Sequence, residues 1–302
     1  MRNPRYPLLA LLVISLGALT GCQGAFFYPE PEHYWDPADA GLVYDDVHFE
    51  AADGTELHGW FLPSRTDEVH GTVIHFHGNA QNISAHVAAV WWLPRKGFQV
   101  LTFDYRGFGR SAGSPDFSGV HEDGLAALAK ARELEEVQLD ETVILGQSLG
   151  ASVAITVTTK WDGPQPAGVA AENPFDSYRG ITREKLGGFW LTWPLQIPLS
   201  WLVSDAYAPI DRVDQLTPTP ILLIAGSEDR TIPPFHSQRL YKAAKEPRAI
   251  WVLEGARHNA ALADATVRSR LVEVFLGWIE GDADAAASPP EGPWQPDPVR
   301  QP

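Results

Sequence analysis

From residue 43 to residue 278, short apolar, β-branched runs alternate with segments of helical period, and this alternation narrows the fold more than any other feature. Val43–Glu50 and Glu56–Leu62 flank Asp53-Gly54-Thr55, a hairpin signal. Thr72–Phe76, Phe98–Phe103, Thr142–Leu145, Ile221–Ala225 and Ile250–Leu253 read as strands, with Gly168–Ala171 a weaker one. Val87–Leu93, Leu125–Leu134 and Leu149–Thr158 read as helices, the last apolar on most sides and therefore buried. Val267, Leu271, Val274, Phe275 and Trp278 share one face of a closing helix. Strands joined through helices need crossover connections. The α/β architecture that supplies them is a mostly parallel central sheet with helices on both faces. In such sheets ligands bind at the carboxyl ends of the strands.

Composition then limits what the fold can do. Hydrophobic residues make up 44% of the chain and charged residues 20%, enough for a sizeable core. The formal charge of −15 repels polyanions at long range, so nucleic acid is not an expected partner. Cys22 is the single cysteine, which excludes an intrachain disulfide and a cysteine metal cluster. Residues 22–40, rich in Pro, Gly and Asp, read as a tether before a domain at 41–280. Residues 281–302, with Pro289, Pro290, Pro293, Pro296, Pro298 and Pro302, read as a disordered tail.

Chemistry concentrates at strand ends. Gly146-Gln147-Ser148-Leu149-Gly150 joins a strand to a buried helix. A turn this sharp lifts the Ser148 hydroxyl above the sheet, and it tolerates only small residues two before and two after the serine. Acyl transfer to such a nucleophile needs two N–H donors on the developing oxyanion. One belongs to the residue after the nucleophile, Leu149. The other comes from an early strand end, His75-Phe76-His77-Gly78-Asn79, where Asn79 is the candidate. His75 and His77 share a face of their strand, but no third metal ligand is suggested near them, and catalytic zinc sites use three. No metal or organic cofactor is expected, and His77 reads as a brace for the loop.

A serine nucleophile requires a histidine base and an acid to orient it, in the chain order Ser, acid, His. Asp229 follows the strand ending at Ala225, and His258 follows the strand ending at Leu253. Glu228 and Glu172 are rival acids. His236 is a rival base, but it follows Pro233-Pro234 rather than a strand.

The chain begins with Arg2 and Arg5, then an uncharged apolar run, Leu8–Leu19. At about a dozen residues, that run is shorter than the roughly 20 that span a bilayer. It ends in Leu19-Thr20-Gly21-Cys22, which resembles the bacterial lipoprotein signal. The resemblance implies a signal peptide at 1–21 and lipidation of Cys22. The protein would then be anchored to the membrane in the bacterial cell envelope. Gln23 in place of aspartate favours the outer membrane where there is one. An uncleaved apolar anchor is the alternative.

Several stretches together resemble the α/β-hydrolase superfamily. They are His75-Phe76-His77-Gly78-Asn79-Ala80, Asp104-Tyr105-Arg106-Gly107-Phe108-Gly109-Arg110-Ser111, Gly146-Gln147-Ser148-Leu149-Gly150-Ala151, Glu172-Asn173-Pro174-Phe175 and Glu228-Asp229-Arg230-Thr231-Ile232-Pro233-Pro234. They are similar to the serine hydrolase branch that includes depalmitoylase-like and bacterial serine aminopeptidase-like proteins. The resemblance implies Ser148, Asp229 and His258 as a triad, and a cap between the sixth and seventh strands at about 173–216. The Asp104–Ser111 loop reads as structural. Within the cap, Leu186–Val203 carries no charge and includes Trp190, Trp193 and Trp201. A single membrane crossing there would put Ser148 and Asp229 on opposite sides of the bilayer, so the apolar stretch is expected to be covered in another way: by the cap's own core or, the favoured reading, by an acyl or lipid-like substrate in a pocket it lines. The expected reaction is hydrolysis of a small-molecule ester or acyl substrate. A thioesterase, an aminopeptidase and a non-catalytic envelope binding protein are the alternatives.

Overall fold

The computed structural model describes residues 26–134, 137–188 and 190–291. The main sheet contains β2 (Asp45–Glu50), β3 (Glu56–Leu62), β4 (Gly71–Phe76), β6 (Phe98–Phe103), β7 (Thr142–Gln147), β8 (Gly168–Glu172), β9 (Ile221–Gly226) and β10 (Arg248–Leu253). Their order across the sheet is β10-β9-β8-β7-β4-β6-β3-β2. Only β3 runs against the rest, pairing antiparallel with β2 and with β6. The hairpin expected at Asp53-Gly54-Thr55 sets this register, with Glu50 opposite Glu56.

The central strands are apolar without alternation because both faces are covered. Val73, Val100, Val143 and Leu222 point to one side of the sheet, and their neighbours Ile74, Leu101, Ile144 and Leu223 point to the other. The first side is closed by α1 (Ile83–His86) and α7 (Ala265–Ile279), through Ile83, Val267 and Leu271. The second is closed by α2 (Gly119–Glu133), α3 (Leu149–Lys160) and α6 (Phe235–Ala243), through Leu128, Val153 and Leu240. All five apolar residues expected to share a face of the closing helix are buried.

Three expectations are corrected. Val87–Leu93 is not a helix. Only 3-10 turns form, at Val87–Ala89 and Leu93–Lys96, where β-branched and tryptophan side chains favour helix weakly and Pro94 interrupts. Residues 26–40 are not a free tether. Phe27 is buried, and β1 (Tyr28–Pro29) pairs in parallel with β5 (Ala80–Gln81). Asn82 Nδ2 donates to the carbonyls of Glu30 and Glu32, at 2.8 and 2.6 Å. Part of the expected tail is also held in place: the Trp251 indole N–H donates to Ala286 O at 3.0 Å, and Ala286 is buried while most of 281–288 stays exposed. A buried indole needs an acceptor, and this stretch supplies it. The signal peptide and Cys22 lie outside the described residues.

Between β8 and β9 runs the segment expected to act as a cap. It includes α4 (Tyr178–Gly187) and α5 (Gln196–Ser200), which pack on each other. Ser177 caps α4, accepting a hydrogen bond from Gly180 N at 3.0 Å.

Candidate active site

β7 ends at Gln147 and α3 begins at Leu149, leaving Ser148 alone in the turn with φ 55° and ψ −115°. A non-glycine residue in such a conformation costs on the order of 1–3 kcal/mol and persists only where its surroundings enforce it. They do so here. Ser148 N donates to Glu172 O at 2.8 Å, tying the turn to the end of β8. A Cβ on Gly150 would lie 2.1 Å from Phe76 O, and one on Gly146 would lie 2.5 Å from Ala151 Cα. Both obstacles are backbone, so the two glycines are what allows the strand, the helix and the His75–Asn79 loop to close on one another.

Asp229 and His258 stand beyond the ends of β9 and β10. Asp229 is buried, and its Oδ1 accepts from Thr231 N at 2.7 Å and Ile232 N at 2.9 Å. Its Oδ2 lies 2.7 Å from His258 Nδ1, and His258 Nε2 lies 3.1 Å from Ser148 Oγ. A carboxylate is acceptor-only, so His258 Nδ1–H donates to Asp229. That tautomer leaves Nε2 as the acceptor for the Ser148 hydroxyl. The geometry suits removal of the serine proton as the oxygen attacks. Ser148 is buried, at 8% exposure, and the His258 side chain beside it is 23% exposed, so the pair meets solvent on the His258 side. Glu228, the rival acid, is exposed.

Glu172 is the other rival, and its position gives it a different task. It is fully buried at the end of β8, accepting from Gln147 Nε2 at 2.6 Å and from Ala261 N at 2.8 Å. Burial pushes its pKa up, against the N–H donors of Gln147, Ala261 and Leu262 and the nearby His258, which pull it down. The carboxylate thus joins the nucleophile turn to the loop carrying His258. Asn173 does the same from the next position, its Oδ1 accepting from Asn259 N at 3.1 Å. Sequence reasoning assigned no role to Asn173, although it stands in a stretch that carries the family resemblance. Glu172→Gln places an amide NH2 against one of those N–H donors. It is expected to destabilise the fold by about 1–3 kcal/mol, the cost of an unpaired buried group. Thermal unfolding checks the stability loss, and ester turnover checks the accompanying slackening of the His258 loop.

One candidate oxyanion donor follows the serine directly, and the other lies on the loop after β4. Leu149 N–H, at the first helical position, has no intrahelical acceptor. The loop bearing Asn79 is held from the N-terminal side: Asn79 Nδ2 donates to Phe26 O at 2.6 Å, and Tyr28 N donates to Asn79 O at 3.1 Å. His77 braces the loop as expected, its Nδ1 donating to Gly78 O at 2.7 Å. His75 faces other partners, Thr102 Oγ1 at 3.1 Å and Gln147 Oε1 at 3.3 Å, and burial pushes its pKa down to about 3. Among the described residues, one group has metal-ligand spacing: His33, His58 and Asp104, with ligand atoms within 4.8 Å of one another. It contains no residue of the Ser148–His258–Asp229 chain.

The remaining rivals are engaged elsewhere. His236 Nδ1 lies 2.9 Å from Asp176, which also accepts from Arg239. Ser111 Oγ donates to Asp104 O at 2.7 Å and accepts from His58 N at 2.9 Å. Arg106 grips Asp123 and Asp53, so the Asp104–Ser111 loop is a structural tie, as expected.

A family model described as "Serine aminopeptidase, S33" matches residues 67–179, which contain Ser148 and the Asn79 loop. The α/β hydrolase domain-containing protein WAV2 of Arabidopsis thaliana is 30% identical over 72% of this chain and 72% of its own. This chain belongs to the α/β-hydrolase superfamily. The protein YfhR of Escherichia coli (strain K12) is similar to this hydrolase at 35% identity, over 83% of this chain and 86% of its own. Among solved structures, the Pyrococcus furiosus esterase Pf2001 shares the hydrolase fold with a TM-score of 0.69. That match has 23% identity and covers 85% of this chain and 98% of the esterase.

Proposed function

We propose that this hydrolase cleaves carboxylic esters through an acyl-enzyme on Ser148. The observation that carries the reading is the continuous chain of hydrogen bonds from Asp229 through His258 to the strained Ser148. His258 accepts the Ser148 proton as Oγ attacks the ester carbonyl. The N–H groups of Leu149 and Asn79 stabilise the oxyanion. His258 then returns the proton to the departing alcohol, and a water molecule repeats the sequence on the acyl-enzyme. Asp229 holds the imidazole tautomer and balances the imidazolium charge. Lipidation of Cys22 would hold the enzyme at the cell envelope, which places acyl or lipid-like esters within reach.

The family description favours a second reading, an aminopeptidase using the same triad. The test is a matched panel of p-nitrophenyl esters, acyl thioesters and aminoacyl anilides. Esters are expected to turn over fastest. Faster turnover of an aminoacyl anilide would overturn the ester assignment.

A further inference from the structure

The sequence suggests that the uncharged stretch of the cap lines an acyl pocket, but the structure turns its large side chains outward. Leu191, Trp193, Ile197, Trp201 and Leu202 are 60%, 61%, 52%, 68% and 51% exposed. No acidic or basic residue interrupts the chain between Leu186 and Val203. Apolar surface of this density on one short segment marks a contact with another apolar surface.

The start of the described chain indicates which surface. The Phe26 ring lies 5.7 Å from Tyr178, the first residue of α4, and 6.2 Å from Phe175, both at the base of the cap. Only three residues separate Phe26 from Cys22. At roughly 3.3–3.6 Å per extended residue, Cys22 cannot stand more than about 14 Å from Phe26. With Cys22 lipidated, hydrocarbon would enter the membrane within that reach of the base of the cap and of the Asn79 loop that Phe26 touches; with the Leu8–Leu19 run as the anchor, the reach from Leu19 to Phe26 is about 25 Å. The chain's net charge of −15 gives no attraction to anionic headgroups, so contact depends on apolar side chains. Tryptophan, apolar in body with one polar N–H, suits the level of the headgroups. Among the described residues no helix is long and apolar enough to cross a membrane.

We propose that the cap segment from Leu191 to Leu202 is a bilayer-docking surface that seats the folded domain on the lipid to which the N-terminus would be anchored. The surface takes a zwitterionic phospholipid bilayer as its partner. This inference rests on the N-terminal anchor and not on the ester reaction.

The test places the full-length protein in phosphatidylcholine vesicles with brominated acyl chains, whose bromine atoms quench tryptophan at bilayer depth. Residues 1–25 contain no tryptophan, so the anchor is silent and the signal reports the folded domain. Wild-type fluorescence is expected to be quenched, and Trp190→Phe, Trp193→Phe and Trp201→Phe combined should lose most of that quenching while remaining vesicle-bound. Equal fluorescence of the wild type in brominated and ordinary vesicles would overturn the proposal. A second variant, Trp193→Asp with Trp201→Asp, separates the alternatives. It should lower hydrolysis of a vesicle-dispersed ester and leave a soluble short-chain ester unaffected. Sedimentation of both proteins covers the remaining case. A wild-type dimer broken by these aspartates, with no quenching by bromine, would assign the surface to a second copy of the chain and overturn docking to lipid. Quenching without turnover of any ester would leave docking intact and defeat only the reaction assignment.

Discussion

Ser148→Ala abolishes both labelling by a fluorophosphonate probe and ester turnover, with kcat falling by about six orders of magnitude. The size follows from the geometry: among the described residues, Ser148 Oγ is the hydroxyl within reach of His258 Nε2, at 3.1 Å, and alanine leaves the base with nothing to deprotonate. The substitution adds no bulk to the turn, so the protein should fold as before. Mass spectrometry of the labelled protein checks the site as well as the loss. Ser111 is the informative control, since its hydroxyl already bonds Asp104 O and the His58 N–H. A probe adduct on Ser111 or Ser114 in the alanine variant would remove Ser148 from its assigned role.

Asp229→Asn lowers kcat by about four orders of magnitude, because an amide NH2 facing His258 Nδ1 selects the wrong tautomer and leaves Nε2 protonated. The Thr231 and Ile232 amides still find the remaining oxygen, so stability changes far less than activity. Glu228→Gln is the matched comparison. Glu228 is exposed and only its backbone N–H is engaged, donating to Ala256 O at 3.0 Å, so its turnover should stay near that of the wild type. Steady-state kinetics on one soluble ester measures both variants. A reversed pattern would show that the acid had been chosen wrongly between neighbours.

The sheet was readable in the sequence because strands buried on both faces leave unbroken apolar runs, as in Gly71–Phe76 and Ile221–Gly226. The positions of Ser148, Asp229 and His258 were readable because each falls just past such a run, where this class of sheet gathers its loops. What escaped is held by contacts across long stretches of chain. Residues 26–34 look like linker by composition. Their order comes from Asn79, Asn82 and Ser84, about fifty positions away, and no local period announces that. The same holds for Ala286, placed by an indole thirty-five residues earlier. Glu172 was visible as a carboxylate at a strand end. Its burial behind the serine, facing Gln147 and Ala261, depends on register between β7, β8 and the His258 loop. Cap exposure was unreadable for a related reason: apolarity in a sequence does not say which way a side chain turns.

The hydrogen bond between Ser148 and His258 closes a separation of 110 residues, and β8 and β9 lie between the strand that precedes the serine and the strand that precedes the histidine. The site therefore has no local precursor. A chain that has formed its first hairpin, its nucleophile turn and most of its helices still lacks a base, because β10 is the outermost strand and the last to be made by the ribosome. Closing so distant a contact belongs to the slow, final stage of assembly. Nascent and unfolded molecules are inert on this account, and hydrolysis begins only once the sheet is complete. Catalytic rate is then itself a gauge of native protein.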